Sequence, residues 1–270
     1  MTNTAPQSPP RTGLNDLTNP LIRIEGIKKT FVTRESTVNA LAEVNLDIHP
    51  GEFISFVGPS GCGKSTLLNI VAGLLSASEG TVTVDGDILK GPRRDMAFMF
   101  QAAVLLPWRS VESNVLMPAE VLGLNKDDIR PRARNILNTV GLGDFLDALP
   151  NQLSGGMQQR VSLARVLTYE PKVLLMDEPF GALDEFTREA MNIELMRLAK
   201  ETGITILFVT HNINEAVFLS HRIVVMSARP SRVAGIVDVP FTWPRETDVM
   251  SSQQFTELSF NIRTMLGGHS

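Results

Sequence analysis

The sequence predicts an α/β fold: a mostly parallel sheet, an antiparallel β layer beside it, and an inserted helical subdomain. Three observations carry this expectation. From Glu52 onward, apolar strand-like runs alternate with helical stretches, the pattern of a largely parallel sheet. Before residue 90, short alternating runs are joined by an Asp85-Gly86 turn. From about 102 to 168 the spacing is helical, punctuated by Pro, Gly and Asn.

The chain has 270 residues, 43% hydrophobic, enough for one large domain or two modest ones. Residues 1–20, rich in Thr, Asn, Pro and Ser and without an apolar signal core, read as a disordered leader. Leu21 to Ile27 carries apolar residues on both parities, which suits a short strand covered on part of both faces, whereas Val44, Leu46 and Ile48 alternate cleanly. Thr81 to Leu89 reads as a hairpin and Met96 to Phe100 as a buried strand. Helices are expected over Ser110–Leu122, Lys126–Val140 and Ser154–Leu167. The core then resumes with the strand Val173–Met176, a helix over Glu185–Glu201, and strands at Ile204–Val209, Arg222–Met226 and Arg232–Val239. One domain over 21–239 follows, with a tail over 240–270 that has helical spacing at Phe255, Leu258 and Ile262.

Composition narrows the partners. A net charge of −4 leaves no broad basic footprint for nucleic acid. A single cysteine permits no internal disulfide and suits a reducing compartment. No apolar run approaches the ~18 residues of a membrane span, so a link to a membrane has to run through a partner.

Gly58-Pro59-Ser60-Gly61-Cys62-Gly63-Lys64-Ser65-Thr66 fits the phosphate-loop pattern, between an apolar strand (Glu52–Val57) and a helix (Thr66–Ala72). Glycines let successive N–H groups curl around phosphate oxygens, and the helix dipole favours the same anion. Lys64 reaches the β- and γ-phosphates and the Ser65 hydroxyl suits Mg²⁺. The ligand is a nucleoside triphosphate, ATP or GTP. Cys62 lies at a helix N-terminus, which favours thiolate, or it simply fills a tight turn with a small side chain. A second element, Val173 to Met176 followed by Asp177-Glu178-Pro179, is a strand ending in two carboxylates. Asp177 fits a Mg²⁺-holding role and Glu178 the orientation or deprotonation of an attacking water. Read alone, the pair is a solvated turn before proline. The third, Leu153-Ser154-Gly155-Gly156-Met157-Gln158-Gln159-Arg160, is an N-capped helix start. Its bared N–H groups make either a second anion site or an ordinary cap with glycines for close packing.

The last element matches the signature motif of ATP-binding cassette (ABC) ATPases, and Leu21 to Val239 resembles that family in motif order. The resemblance implies a RecA-like phosphate-loop core, ATP with Mg²⁺, and two copies facing head to tail. In such a homodimer each ATP is sandwiched between Gly58–Thr66 of one copy and Ser154, Gly155, Gly156 and Gln158 of the other. It further implies that Phe31, where the family mostly has Tyr, stacks on adenine. Ser65, Asp177 and Gln101 would attend Mg²⁺. Lys64, Gln101, Glu178 and His211 would serve hydrolysis, and Asp184 would lie at the dimer seam. Gly181 departs from the commoner Ser.

Gln101 to Asn114, with its Leu-Leu-Pro-Trp run, is similar to the nitrate, sulfonate and taurine branch of ABC importers, as is Ala228-Arg229-Pro230 with Arg232. Ala102 departs from that branch, where an acid is frequent. The segment is expected to receive a helix of a membrane permease, with Trp108 either the docking aromatic or ordinary core. The implied protein is the ATP-hydrolysing subunit of an importer for a small anion, peripheral on the cytoplasmic face of the inner membrane. A periplasmic or lipid-anchored solute-binding protein would be an indirect partner. A soluble non-transport ABC ATPase, or a different phosphate-loop enzyme such as a kinase, is the competing reading.

Overall fold

A computed structural model describes residues 19–32, 36–181 and 183–267. The leader expected over 1–20 therefore lies, up to residue 18, outside the described residues, as does Ala182. In chain order the elements are β1 (Ile22–Val32), β2 (Thr37–Ile48), β3 (Phe53–Val57), α1 (Lys64–Val71), β4 (Glu79–Val84), β5 (Asp87–Ile88) and β6 (Met96–Met99). The inserted helices α2 (Val111–Val115), α3 (Met117–Leu122), α4 (Lys126–Thr139) and α5 (Gly155–Leu167) follow. The chain then returns through β7 (Val173–Asp177), α6 (Glu185–Thr202), β8 (Thr205–Val209), α7 (Ile213–Leu219), β9 (Arg222–Met226) and β10 (Val233–Asp238) to the tail helix α8 (Gln253–Met265).

One sheet is antiparallel, in the order β2-β1-β4-β5. The other runs β10-β9-β3-β8-β7-β6 and is parallel except at β10. The Asp85-Gly86 turn has both residues at positive φ (56° and 83°), the conformation that matches a two-residue turn to strand twist. β1 corrects the sequence reading. Ile22, Ile24 and Ile27 are buried while Arg23 and Glu25 are exposed, so one face is covered, not both. The parity change comes from a bulge in the β1–β2 register between Ile24 and Ile27, where Gly26 takes φ 62°. The helix expected over Ser110–Leu122 is divided into α2 and α3, because Pro118 has no N–H to continue the ladder.

β3 and β8 are buried along their whole length because both sheet faces are covered. On one side Ile54, Phe56 and Leu207 meet Leu67, Leu68 and Val71 of α1 and the apolar face of the antiparallel sheet. On the other, Phe53, Phe208 and Leu174 pack with α5, α6, α7 and the inserted helices in one continuous cluster. Phe255 and Ile262 bring α8 into that cluster. Since β3, β6, β7 and β8 run parallel, the loops leaving their C-terminal ends gather along one edge. That edge carries the site.

Candidate nucleotide site

The phosphate loop leaves β3 at Gly58 and enters α1 at Lys64. Its glycines are required by geometry. A Cβ on Gly58 would lie 2.9 Å from the Met226 carbonyl and 3.0 Å from Cys62 Sγ. Gly63 takes φ 123°, and a Cβ there would meet Leu41 Cδ2 at 2.9 Å. Pro59, Ser60 and Gly61 are exposed at the crest. Lys64 is buried, and its Nζ donates to the carbonyls of Gly58 (2.8 Å) and Pro59 (3.1 Å). α1 starts without a side-chain cap, so its first N–H groups have no side chain competing for them. A narrow cradle closed to any Cβ, a buried ammonium and uncapped amides together fit a polyphosphate. Cys62 is 2% exposed with Sγ turned inward, which favours the space-filling reading over a reactive thiol. Thr66 sits half-buried in the first turn of α1.

Across from the loop, Ser65 Oγ donates to Asp177 Oδ1 at 2.8 Å. Burial pushes the Asp177 carboxyl above its usual range; Glu178 adds to the rise, while the Ser65 hydroxyl and Lys64 oppose it. A hydroxyl beside one carboxylate is a small, hard oxygen set of the kind that shares Mg²⁺ with nucleotide phosphates, so the residues fit that ion. Among the described residues no cluster of three or more His, Cys, Asp or Glu would hold a metal by itself.

Glu178 follows at the strand end with φ 47°, a conformation uncommon for a residue with a side chain. Two partners converge on its Oε2: Gln101 Nε2 at 3.5 Å and His211 Nδ1 at 3.4 Å. Gln101 comes from the loop after β6 and His211 from the loop after β8, so the parallel sheet places all three. Behind them lies a cavity of about 10 Å³, lined by Glu178, Arg188, Thr210, His211 and Glu215 among others.

Other expected site residues sit apart. Phe31, near the end of β1, is 38% exposed with Lys29 Nζ 5.0 Å from its ring centroid, leaving ring surface open for stacking. Ser154 caps α5 by accepting from Met157 N at 3.2 Å, and Ser154 and Gly155 are exposed. No atom lies within 4 Å of a Cβ on Gly155, while one on Gly156 would meet Leu183 at 3.0 Å. The Gln158 amide donates to the carbonyls of Pro150 (2.9 Å) and Leu153 (3.4 Å), so it braces the turn before α5. Asp184 caps α6, accepting from Thr187 N (3.0 Å) and Thr187 Oγ1 (2.7 Å), and these bonds hold its carboxyl below the usual range.

Sequence reasoning missed four supporting residues. Gln159, from the buried face of α5, donates to the Gln101 carbonyl. Arg165, also buried, donates to the carbonyls of Val104 (2.8 Å) and Ala103 (3.0 Å). Arg229 donates to the Gly61 carbonyl at the loop crest. Glu215 is 6% exposed behind His211. Two of them had a signal: Arg229 in the Ala-Arg-Pro run and Gln159 in the Leu153–Arg160 element. Trp108 is 73% exposed, which excludes ordinary core packing. The turn presenting it is held by buried Asn114, whose Oδ1 accepts from Leu106 N (2.8 Å) and whose Nδ2 donates to the Arg109 carbonyl (2.9 Å).

Known proteins share this chain's sequence pattern and its fold. Residues 41–181 match the family model described as ABC transporter. The chain is 42% identical to the taurine import ATP-binding protein TauB of Rhizobium johnstonii, over 91% of this chain and 96% of that protein. It is 40% identical to the bicarbonate transport ATP-binding protein CmpD of a Synechocystis species, over 93% and 90% respectively. Among solved structures, a dimeric ATP-binding cassette in a post-hydrolysis state, bound to ADP and Pi, superposes with a TM-score of 0.74. It is 35% identical, and the match covers 81% of this chain and 98% of that one.

Proposed function

This chain belongs to the ABC transporter family as an ATP-binding, ATP-hydrolysing subunit, and from that premise we propose that it powers an importer of a small anion of the nitrate, sulfonate or taurine type by clamping onto a second copy of itself. The observation that carries the hydrolytic part is the convergence of Gln101 and His211 on one carboxylate oxygen of Glu178, beside the Ser65–Asp177 pair. In this reading Lys64 and the amides of the loop bind the phosphates of ATP and fix the γ-phosphoryl group. Glu178 orients the attacking water and takes its proton, with Gln101 and His211 holding the carboxylate and the water in register. Ser65, Asp177 and Gln101 would attend Mg²⁺, which supplies neutralisation of phosphate charge.

The dimer is inferred from an incomplete surface. α5 begins with exposed Ser154 and Gly155 at the positive end of a 13-residue helix. A second copy, turned head to tail, would bring that helix start to the γ-phosphate and complete two identical sites. The solute class rests on relatives named for taurine and bicarbonate, both small molecules that carry an anionic oxygen group, a sulfonate in one and a carbonate oxygen in the other. No helix among the described residues is long and apolar enough to cross a membrane. A permease is therefore the membrane partner in this reading, reached through exposed Val104 and Trp108 from the cytoplasmic face.

The test is Glu178→Gln. It keeps the side-chain shape but removes the base, so the variant is expected to bind ATP, lose turnover by at least about 10²-fold, and elute as an ATP-dependent dimer. Near-normal turnover, or ATP-bound monomer at all concentrations, would overturn the reading.

A further inference from the structure

His211 reaches Glu178 from an exposed loop. The His211 side chain is 62% exposed, so packing does not fix it. Its placement comes from the turn that carries it, and that turn is tied from behind. Thr210 Oγ1 accepts from Asn212 N at 3.0 Å, which directs its own proton away from the backbone. That proton goes to Oε2 of Glu215, closing a ring across His211. Glu215 itself is 6% exposed on α7; the Asn192 side chain of α6 hydrogen-bonds to it, and Arg188 of α6 and His211 also face it.

A merely structural tie would need one acceptor. Glu215 brings a second, Oε1, which is buried and lies outside the tie to Thr210, and Nε of Arg188 beside it is buried without a hydrogen-bond partner. Glu215 and Arg188 help line the cavity of about 10 Å³ that Glu178 and His211 also line. A carboxylate is a costly group to bury there, and such groups concentrate where positioning matters for chemistry.

We infer that Glu215 is a positioning residue for hydrolysis: its carboxylate grips Thr210 and thereby locks the turn that holds His211 against Glu178. The inference rests on the proposed role of His211 and deepens it. Glu215 touches neither substrate nor water in this scheme. Its effect is on the rate of the bound complex, not on the phosphate loop.

The experiment measures steady-state ATPase of the full chain for Glu215→Ala, Glu215→Gln, Thr210→Val, Thr210→Ser, His211→Ala and the double variant Glu215→Ala/His211→Ala, with ATP binding as the control for folding. Glu215→Ala is expected to lower kcat about tenfold with KM for ATP within about twofold. Glu215→Gln keeps an acceptor for Thr210 and should recover most of the loss. Thr210→Val should reproduce the loss and Thr210→Ser restore it, which keeps the test open if Glu215→Ala does not fold. In the His211→Ala background, Glu215→Ala should cost nothing further. Wild-type kcat in Glu215→Ala and Thr210→Val, a rise confined to KM, or losses that add to His211→Ala would overturn the inference. Unchanged turnover in His211→Ala would instead overturn the role proposed for the histidine.

Discussion

His221 shows how one side chain ties stability to pH. Its Nδ1 accepts from Phe53 N at 2.9 Å, which requires that nitrogen to be unprotonated, and its ring lies 4.6 Å from that of Trp243. Burial, with the Arg245 charge beside it, pushes its pKa from 6.5 down to about 4. Above pH 6.5 neither folded nor unfolded His221 is protonated and it costs nothing. As pH falls from 6.5 towards 4 the unfolded chain takes up a proton that the folded one refuses, so stability drops. The expected loss is about 2 kcal/mol by pH 5 and about 3 kcal/mol in full. Urea unfolding of wild type and His221→Gln at pH 7 and pH 5 checks this: the variant should lose about 2 kcal/mol less, and parallel losses would contradict it. His221, like Glu215, was not legible in the sequence. Both are polar residues whose burial is decided by distant elements (β3 and the tail for one, α6 for the other), and local pattern carries no trace of that.

At the scale of elements, the phosphate loop is braced by the segment 227–232. Arg229 grips the Gly61 carbonyl, Ser231 exchanges backbone bonds with Ala40 and Ala42, and Ala40 and Leu41 of the same strand border Gly63. Arg229→Ala should therefore loosen the cradle and raise KM for ATP about fivefold with kcat kept, the weight of a charge-assisted hydrogen bond of about 1 kcal/mol. Lysine at 229 should recover part of it in the same titration, and an unchanged KM would show that the loop holds itself. Most elements were legible because their periods are local and strong: β9 falls at 222–226 as expected, and α5 starts immediately after its Ser154 cap. The bulge at Gly26 and the break at Pro118 were not, since a phase change or a shared turn is resolved only by what packs against it. The motif residues gave the chemistry of the site. Their convergence on Glu178 needed the parallel sheet.

At the scale of the whole molecule, the phosphate loop rests on the cluster that holds Cys62 and α1, while the turn bearing exposed Trp108 leads into α2, whose Val111 and Val115 belong to the other cluster. This separation predicts that Trp108→Ala leaves ATPase of the isolated subunit unchanged, while ATPase stimulation by the reconstituted permease falls at least about tenfold, as for loss of an interface anchor. Equal stimulation of both proteins would remove Trp108 from the docking surface.

The grip of α5 on residues 101–104 has a mechanical consequence. Two side chains of one rigid rod, Gln159 and Arg165, fasten the strip of chain from Gln101 to Val104, four residues short of the exposed indole. There is no slack in that linkage. In the proposed importer, a tilt of that rod would carry residues 101–104 with it, so a shove at the indole's end would arrive beside Glu178 as displacement.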